Sequence, residues 1–466
     1  MNVPTSILNL LNYSENSYEI ESVDPDMLIA RLRGHANQKV QFVLMTPLQA
    51  SEERLQLIHS ANVLVDIDEV IAQFGHPLKA VSSKIFGNRL QRMGLETLPA
   101  LPQLTGDKAL VDKGILEAEE VYLHSGNSGQ VIKMPAKSFM ELLEPAEVIA
   151  FGVALDKTTP DLASTEHDIM NVHHSIQKYT SLQIKRRLVE TLEIPPLSCT
   201  AQSIINLAAN PDAEAEALVK IVELDPSLSA QIVGWASSPY YSAPGKINSI
   251  HDAIVRVLGF NLVLNLALGL AVGKSLKVPN NSADSVISFW RQSVYTALTM
   301  EKLNAAIPAN HRGEPGLAYL TGLLNNFGYL ILAHVFPSHF AIIERYTEAN
   351  RHLNPTFIEQ FLLGLERHQI CSLLMKNWNL PEPVWTALRF QQAEDYCHDY
   401  SLYANLCFLA KRLLAANGIG DSPVEFIPAH IYERLHLEPA EAENIIGMIM
   451  ESSDEIDTMS DLFFAK

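Results

Sequence analysis

Cysteine is scarce in this chain and shows no pattern. The four present, Cys199, Cys371, Cys397 and Cys407, form no CxxC pair and have no short-spaced histidine partner. That excludes a thiolate zinc knuckle and a disulfide framework, and free thiols are expected. Basic residues are also few: 34 Lys and Arg against 53 Asp and Glu leave a formal charge of −19. So acidic a chain repels phosphate backbones and anionic lipid, so no broad nucleic-acid or membrane-binding face is expected. Long apolar runs are missing too. The most membrane-like segment, Val257 to Val272, falls short of the roughly 20 residues a span needs. Asn261 and Asn265 interrupt it, which predicts a buried core helix. The N-terminus begins Met-Asn-Val-Pro-Thr-Ser with no basic region and apolar core, so no secretory signal is expected and the chain reads as cytoplasmic. No sustained heptad or repeat of roughly 30–45 residues argues for a coiled coil or a solenoid.

What is present is a folded composition, 47% hydrophobic and 19% charged. A chain of 466 residues exceeds one ordinary core, so more than one domain is expected. Residues 1–150 read as mixed α/β. Val40 to Met45 and Val63 to Ile67 are apolar runs of strand length. Glu120 to Leu123 and Gln130 to Met134, joined through Ser-Gly-Asn-Ser-Gly, read as a hairpin, and Pro135 to Leu143 as a helix. The Ser125–Gly129 loop opens no helix and has no following Lys-Ser/Thr, so it reads as a turn rather than a phosphate cradle. Residues 151–175 are polar and read as a linker, with His173 and His174 solvated on it. Residues 176–466 read as all-α. Asp225-Pro226 is a helix start, and 284–303, 317–335, 357–376, 381–392 and 401–415 carry helical spacing. From Gly420 to Lys466 there are eleven acidic against two basic residues, an acidic tail of net −9. It either covers the helical core or docks a partner.

Residues 323–328 read Leu-Leu-Asn-Asn-Phe-Gly, which places Asn325 and Asn326 in an otherwise apolar helical stretch. Asparagine is a poor interior helix residue, and burying its amide unpaired costs on the order of 1–3 kcal/mol. A self-satisfied polar network with Gln292 is therefore expected.

These residues also carry a resemblance. The segments Ile194-Pro195-Pro196-Leu197, Leu224-Asp225-Pro226-Ser227-Leu228, Ile250 to Gly259, Phe289-Trp290-Arg291 and Leu323 to Gly328 occur in an order that resembles the HDOD family, the HD-related output domain of bacterial signalling proteins. In active HD-type hydrolases the matching positions give imidazoles and a carboxylate to divalent metals that activate water. Here Gln292 stands where a histidine would, Asn325 and Asn326 replace His-Asp, His368 matches, and Gln391-Gln392 stands where a histidine pair often does. Neutral carboxamides are weak ligands for a divalent ion. The resemblance therefore implies no catalytic residue, no metal ligand set and no cofactor. It implies a degenerate pocket of Gln292, Asn325, Asn326, His368, Gln391 and Gln392, either structural or open to a small polar ligand or nucleotide.

Residues 20–145 resemble the YbaK family of aminoacyl-tRNA editing domains, best over Leu110-Val111-Asp112, Glu119 to Tyr122, Ser125-Gly126-Asn127 and Val131 to Met134. The family's early-strand lysine has Arg31 as its nearest counterpart, and its Gly-x-x-Pro loop reads Pro99-Ala-Leu-Pro102. Proline lacks the amide donor that glycine offers a substrate. The expected architecture is an editing-like α/β domain followed by an all-α HD-related domain. The expected role is non-catalytic regulation in signal transduction, through protein partners or a bound small molecule. The alternatives are a metal-dependent phosphohydrolase or phosphodiesterase, and an aminoacyl-tRNA deacylase aided by a patch of Lys79, Lys84, Arg89 and Arg92 that otherwise reads as a solvated helix face.

Overall fold

The computed structural model describes residues 3–13, 17–22, 38–48, 54–81, 90, 93–127, 129–160, 162, 164–179, 197–210, 212–243, 245–276 and 283–461. Arg31, Lys84, Arg89, Arg92 and the Ile194-Pro195-Pro196 motif lie outside them. The chain divides into two compact units, residues 1–159 with 341–362, and residues 160–340 with 363–466.

The first unit is mixed α/β. Its strands are β1 (Glu19–Ser22), β2 (Val40–Pro47), β3 (Leu55–Ser60), β4 (Val63–Val65), β5 (Leu78–Ala80), β6 (Lys108–Asp112), β7 (Glu120–His124), β8 (Gln130–Pro135), β9 (Glu147–Ile149) and β10 (Gly152–Ala154). A five-stranded sheet runs β5-β2-β3-β6-β9, antiparallel about β2 and parallel from β3 to β9. All six residues of β3 are buried, as befits a central strand covered on both faces. The expected hairpin is present as β7 and β8, and β1 pairs with the free edge of β8. The run Val63 to Ile67 is a strand only to Val65. Asp66 then caps helix Ile67–Phe74, its carboxylate accepting from the Asp68 and Glu69 amides at 3.1 and 3.4 Å.

Residues 341–362 belong to this unit, and side chains stitch them to β4. The Asn350 carboxamide accepts from Val65 N at 2.7 Å and donates to Val65 O at 3.1 Å, as a neighbouring strand would. Tyr346 donates to Asp66 Oδ1 at 2.7 Å. His352 Nε2 lies 2.9 Å from Val63 O.

The second unit is helical. Its opening helix Asp168–Tyr179, which bears His173 and His174, lies partly within the stretch read as a linker. Asp225 Oδ1 accepts from Leu228 N at 3.0 Å and so caps helix Pro226–Ala236 as expected, with Lys274 Nζ 3.0 Å from Asp225 Oδ2. Asp225→Ala should lower stability by about 1 kcal/mol in urea titration, the usual worth of such a cap. Helix Phe260–Gly273 is buried from Leu262 to Gly273, the core helix expected of that apolar run.

Helix Ala283–Ala306 packs against Pro315–Leu324, Ser401–Ala416, Pro439–Glu451 and Ser453–Asp461. A Cβ at Gly322 would sit 2.5 Å from Ala297 Cα, so only glycine permits that approach. The acidic tail covers this core. Ile456 and Met459 are fully buried, and Asp457 pairs with Arg291 at 2.6 and 3.1 Å while accepting from Tyr295 Oη at 3.0 Å.

Two stretches read as single helices are broken. Within 357–376, Gly364 takes φ +72°, and helices Pro355–Leu363 and Arg367–Asn377 flank it. Glu366 starts the second with a capping box to Gln369. Residues 317–335 split at Asn325-Asn326 into Pro315–Leu324 and Phe327–Val335. The Asn325 amide donates to Gly322 O at 2.6 Å and Asn326 takes φ −106°, ψ 8°, so the side chain satisfies the carbonyl that the helix abandons. The stretch 315–335 is long and apolar enough to cross a membrane, yet 89% of its most apolar 18 residues are buried inside the fold.

Candidate functional site

The break at Asn325-Asn326 lies among polar side chains from four other helices. Gln292 comes from helix Ala283–Ala306, His368 from the first turn of Arg367–Asn377, Gln391 from the C-terminal end of Glu382–Phe390, and Lys411 from Ser401–Ala416. The structure brings together five of the six residues singled out from sequence. Asn326 Nδ2 lies 3.4 Å from Gln292 Oε1. Gln391 Nε2 lies 2.9 Å from Asn325 O and 3.0 Å from both Leu388 O and His368 Nδ1. Gln392 is buried next in the chain, and no bond joins its side chain to these groups among the contacts described.

Three charged residues that sequence reading missed complete the arrangement. Arg367, 4% exposed, donates through Nη1 to Asn326 Oδ1 at 2.9 Å and to Asp421 Oδ2 at 2.7 Å. Lys411 Nζ donates to Gln391 Oε1 at 3.2 Å, and Cys407 Sγ lies 3.5 Å from the same oxygen. A signal for Lys411 was available: it sits four residues after Cys407 in the apolar run Leu-Cys-Phe-Leu-Ala-Lys, one turn along the same helix face.

Burial pushes the Asp421 carboxyl up, but Arg367 and Lys411 outweigh it and the pKa is lowered. Burial lowers the Lys411 ammonium, with Arg367 and Arg412 adding to that and Asp421 opposing it. Burial, then the charges of Lys411, Arg367 and Arg389, hold His368 well below the usual imidazole range. The neutral ring accepts at Nδ1 from Gln391, which assigns its proton to Nε2.

This donor set does not fit a divalent ion. A metal-binding imidazole needs a bare nitrogen and compensating anions. Here the bare nitrogen is taken up by Gln391, the carboxamide oxygens face ammonium and guanidinium donors, and the carboxylate is paired with Arg367. Among the described residues no three His, Cys, Asp or Glu gather where they could hold a metal. The cavity between Gln292, Thr296, Asn325, Lys411, Asp421 and Ser422 is about 20 Å³, room for about one water.

A model of the family described as HDOD domain matches residues 194–394. A Marinobacter aquaeolei VT8 protein with a provisional signal-transduction name is 35% identical over 99% of this chain and 100% of its own, at TM-score 0.90. The chain belongs to the HDOD family. An uncharacterized Treponema pallidum (strain Nichols) protein is 23% identical over 271 residues, 56% of this HDOD chain. This chain spans half the length of that relative. A provisionally named trans-editing enzyme for prolyl-tRNA synthetase is 13% identical over 32% of this chain and 94% of its own, at TM-score 0.25. That likeness is too slight to carry an argument.

In the first unit of this HDOD protein, Pro99 and Pro102 are buried and Pro102 opens a short 3-10 turn. The cation that sequence reading passed over is Lys39, just ahead of β2, whose pKa burial lowers. Burial and then the Lys39 charge draw His124 down to about 4.

Proposed function

We propose that this chain is a non-catalytic regulatory protein of signal transduction, working in the cytoplasm through protein contacts on a degenerate HD-type scaffold. The carrying observation is the replacement of metal-ligand chemistry by a hydrogen-bonded carboxamide cluster with two cations in it. The signal-transduction name of the Marinobacter relative supports the same reading, and so does HDOD membership. A cavity of about 20 Å³ gives a nucleotide no room at this cluster, which favours a protein partner over a small ligand there. The division of labour we propose follows the segments 1–150, 151–175 and 176–466. The first would be an editing-like domain used for its shape, with Arg31, Pro99 and Pro102 at its degenerate pocket.

The deciding measurement is metal content by elemental mass spectrometry after loading with Mn²⁺ and Fe²⁺ and desalting. Substoichiometric metal, together with no hydrolysis of phosphodiester substrates, is the expected result. About one ion per chain, lost in His368→Ala, would return the protein to the phosphohydrolases. Mischarged tRNA incubated with the protein should release its amino acid no faster than buffer does; acceleration would revive the deacylase reading.

A further inference from the structure

We infer that the carboxamide cluster carries its own counter-cations, Lys411 and Arg367 standing in the electrostatic place of the divalent metal of an HD-type site. The inference rests on the degenerate-scaffold reading and says what took over from the metal.

Three observations carry it. Each cation is directed at a carboxamide oxygen of the degenerate pocket: Arg367 Nη1 at Asn326 Oδ1, 2.9 Å, and Lys411 Nζ at Gln391 Oε1, 3.2 Å. The two cations approach from different helices, Arg367–Asn377 and Ser401–Ala416, and so close the cluster from two sides. Of the three charged groups, two cations face one carboxylate, Asp421, which Arg367 holds at 2.7 Å. Two cations drawn into one interior cluster already repel at the effective dielectric of a protein interior, and a divalent ion placed among them would add a larger repulsion with each. Neutral carboxamides solve this arrangement: they accept from cations without adding charge, and they donate onward to His368 Nδ1, Asn325 O and Gly322 O.

The excess positive charge makes a prediction that a merely packed polar cluster does not. Asn326→Asp places a second carboxylate against the Arg367 guanidinium, in a cluster where Asp421 is the carboxylate among the contacts described. Its Tm should stay level or rise, whereas a buried carboxylate with no cationic surplus to meet should lower it. A fall on the order of 5 °C or more would overturn the inference. The second variant is Lys411→Ala, melted with and without ethylammonium chloride as a probe that can refill the vacated ammonium place. A lowered Tm partly restored by ethylammonium, with no such gain for wild type or in matched NaCl, is expected. An unchanged Tm, or equal ethylammonium effects on both proteins, would overturn it. Either failure leaves the metal-content result untouched, so this inference and the reading beneath it can fall separately.

Discussion

Asp168→Ala is expected to lower the stability of the helical unit by about 3–5 kcal/mol, the usual cost of leaving one member of a buried ion pair unpaired. Arg389 is 1% exposed, and its guanidinium grips Asp168 through Nε at 2.6 Å and Nη2 at 2.9 Å. Gln369 Nε2 adds a third donor to the same carboxylate at 2.8 Å, and Arg389 Nη2 also reaches Ser164 O at 2.6 Å. Removing the carboxylate leaves a desolvated guanidinium and a desolvated amide without their acceptor. Asp168→Asn keeps an acceptor but loses the charge, so it should fall between wild type and alanine. Replacing both partners, Asp168→Leu with Arg389→Met, should recover much of the loss, because the pair's attraction mainly offsets its own desolvation. Urea unfolding followed by far-ultraviolet circular dichroism reads all three variants. A loss below about 1 kcal/mol for Asp168→Ala would mean that water reaches the guanidinium and the pair is not buried in solution. The effect bears on the candidate site as well. Gln369 and Arg389 are sequence neighbours of His368 and near neighbours of Gln391, and the Arg389 charge helps keep His368 neutral. Loosening this pair should therefore loosen the carboxamide cluster.

That pair also shows where the sequence stops being legible. Asp168 lies in a polar stretch whose composition suits a linker, and nothing local marks it as the buried partner of an arginine 221 residues later. The features that could be read were those with local physical causes. The β7–β8 hairpin follows from alternation about a glycine-bearing turn, the Pro226 helix from an Asp-Pro start, and the core helix at Phe260 from its length and lack of charge. Asn325 and Asn326 stood out because buried amides need partners, but the same residues hid the break in their helix. Apolar spacing continues across 315–335 whether or not the backbone does. For another reason, Arg367 was invisible and Lys411 was only weakly marked, by its place in an apolar helical run. A lysine on an apolar helix usually reaches its head to solvent, and only the tertiary placement of Gln391 shows that this one is used inside. Residues 341–362 were placed with the helical half because they are helical in pattern. Their membership of the first unit depends on Tyr346, Asn350 and His352 meeting β4 and its cap, which no periodicity encodes.

Those same contacts make the first unit acid-sensitive. His59 on β3 and His352 place their rings 4.5 Å apart at a 44° tilt, and each spends one nitrogen on a carbonyl, Ser60 O and Val63 O, both at 2.9 Å. His59 Nε2 is buried with no partner, so a proton added there would have no acceptor. Burial draws His59 down to about 4 against the opposing pull of the Ser60 carbonyl and Asp112. Burial, then His59 and Lys39, hold His352 well below its usual range, with the Val63 carbonyl opposing. A folded-state pKa below the unfolded value means that the native state demands the neutral ring. The stability this contributes is therefore complete above about pH 6.5 and is lost as the pH falls towards 4. For His59 alone the loss should reach about 2 kcal/mol by pH 5 and on the order of 3 kcal/mol near pH 4. Urea midpoints measured between pH 7 and pH 4.5 should fall steeply for wild type and less steeply for His59→Gln, which cannot titrate. Parallel curves for the two proteins would remove the imidazole pair as the cause. Because the pair joins a central strand to the 341–362 segment, hydrogen exchange at pH 5 should rise first in that segment and along β4. The sheet's interior strands, held by backbone ladders rather than imidazole, should follow only at lower pH.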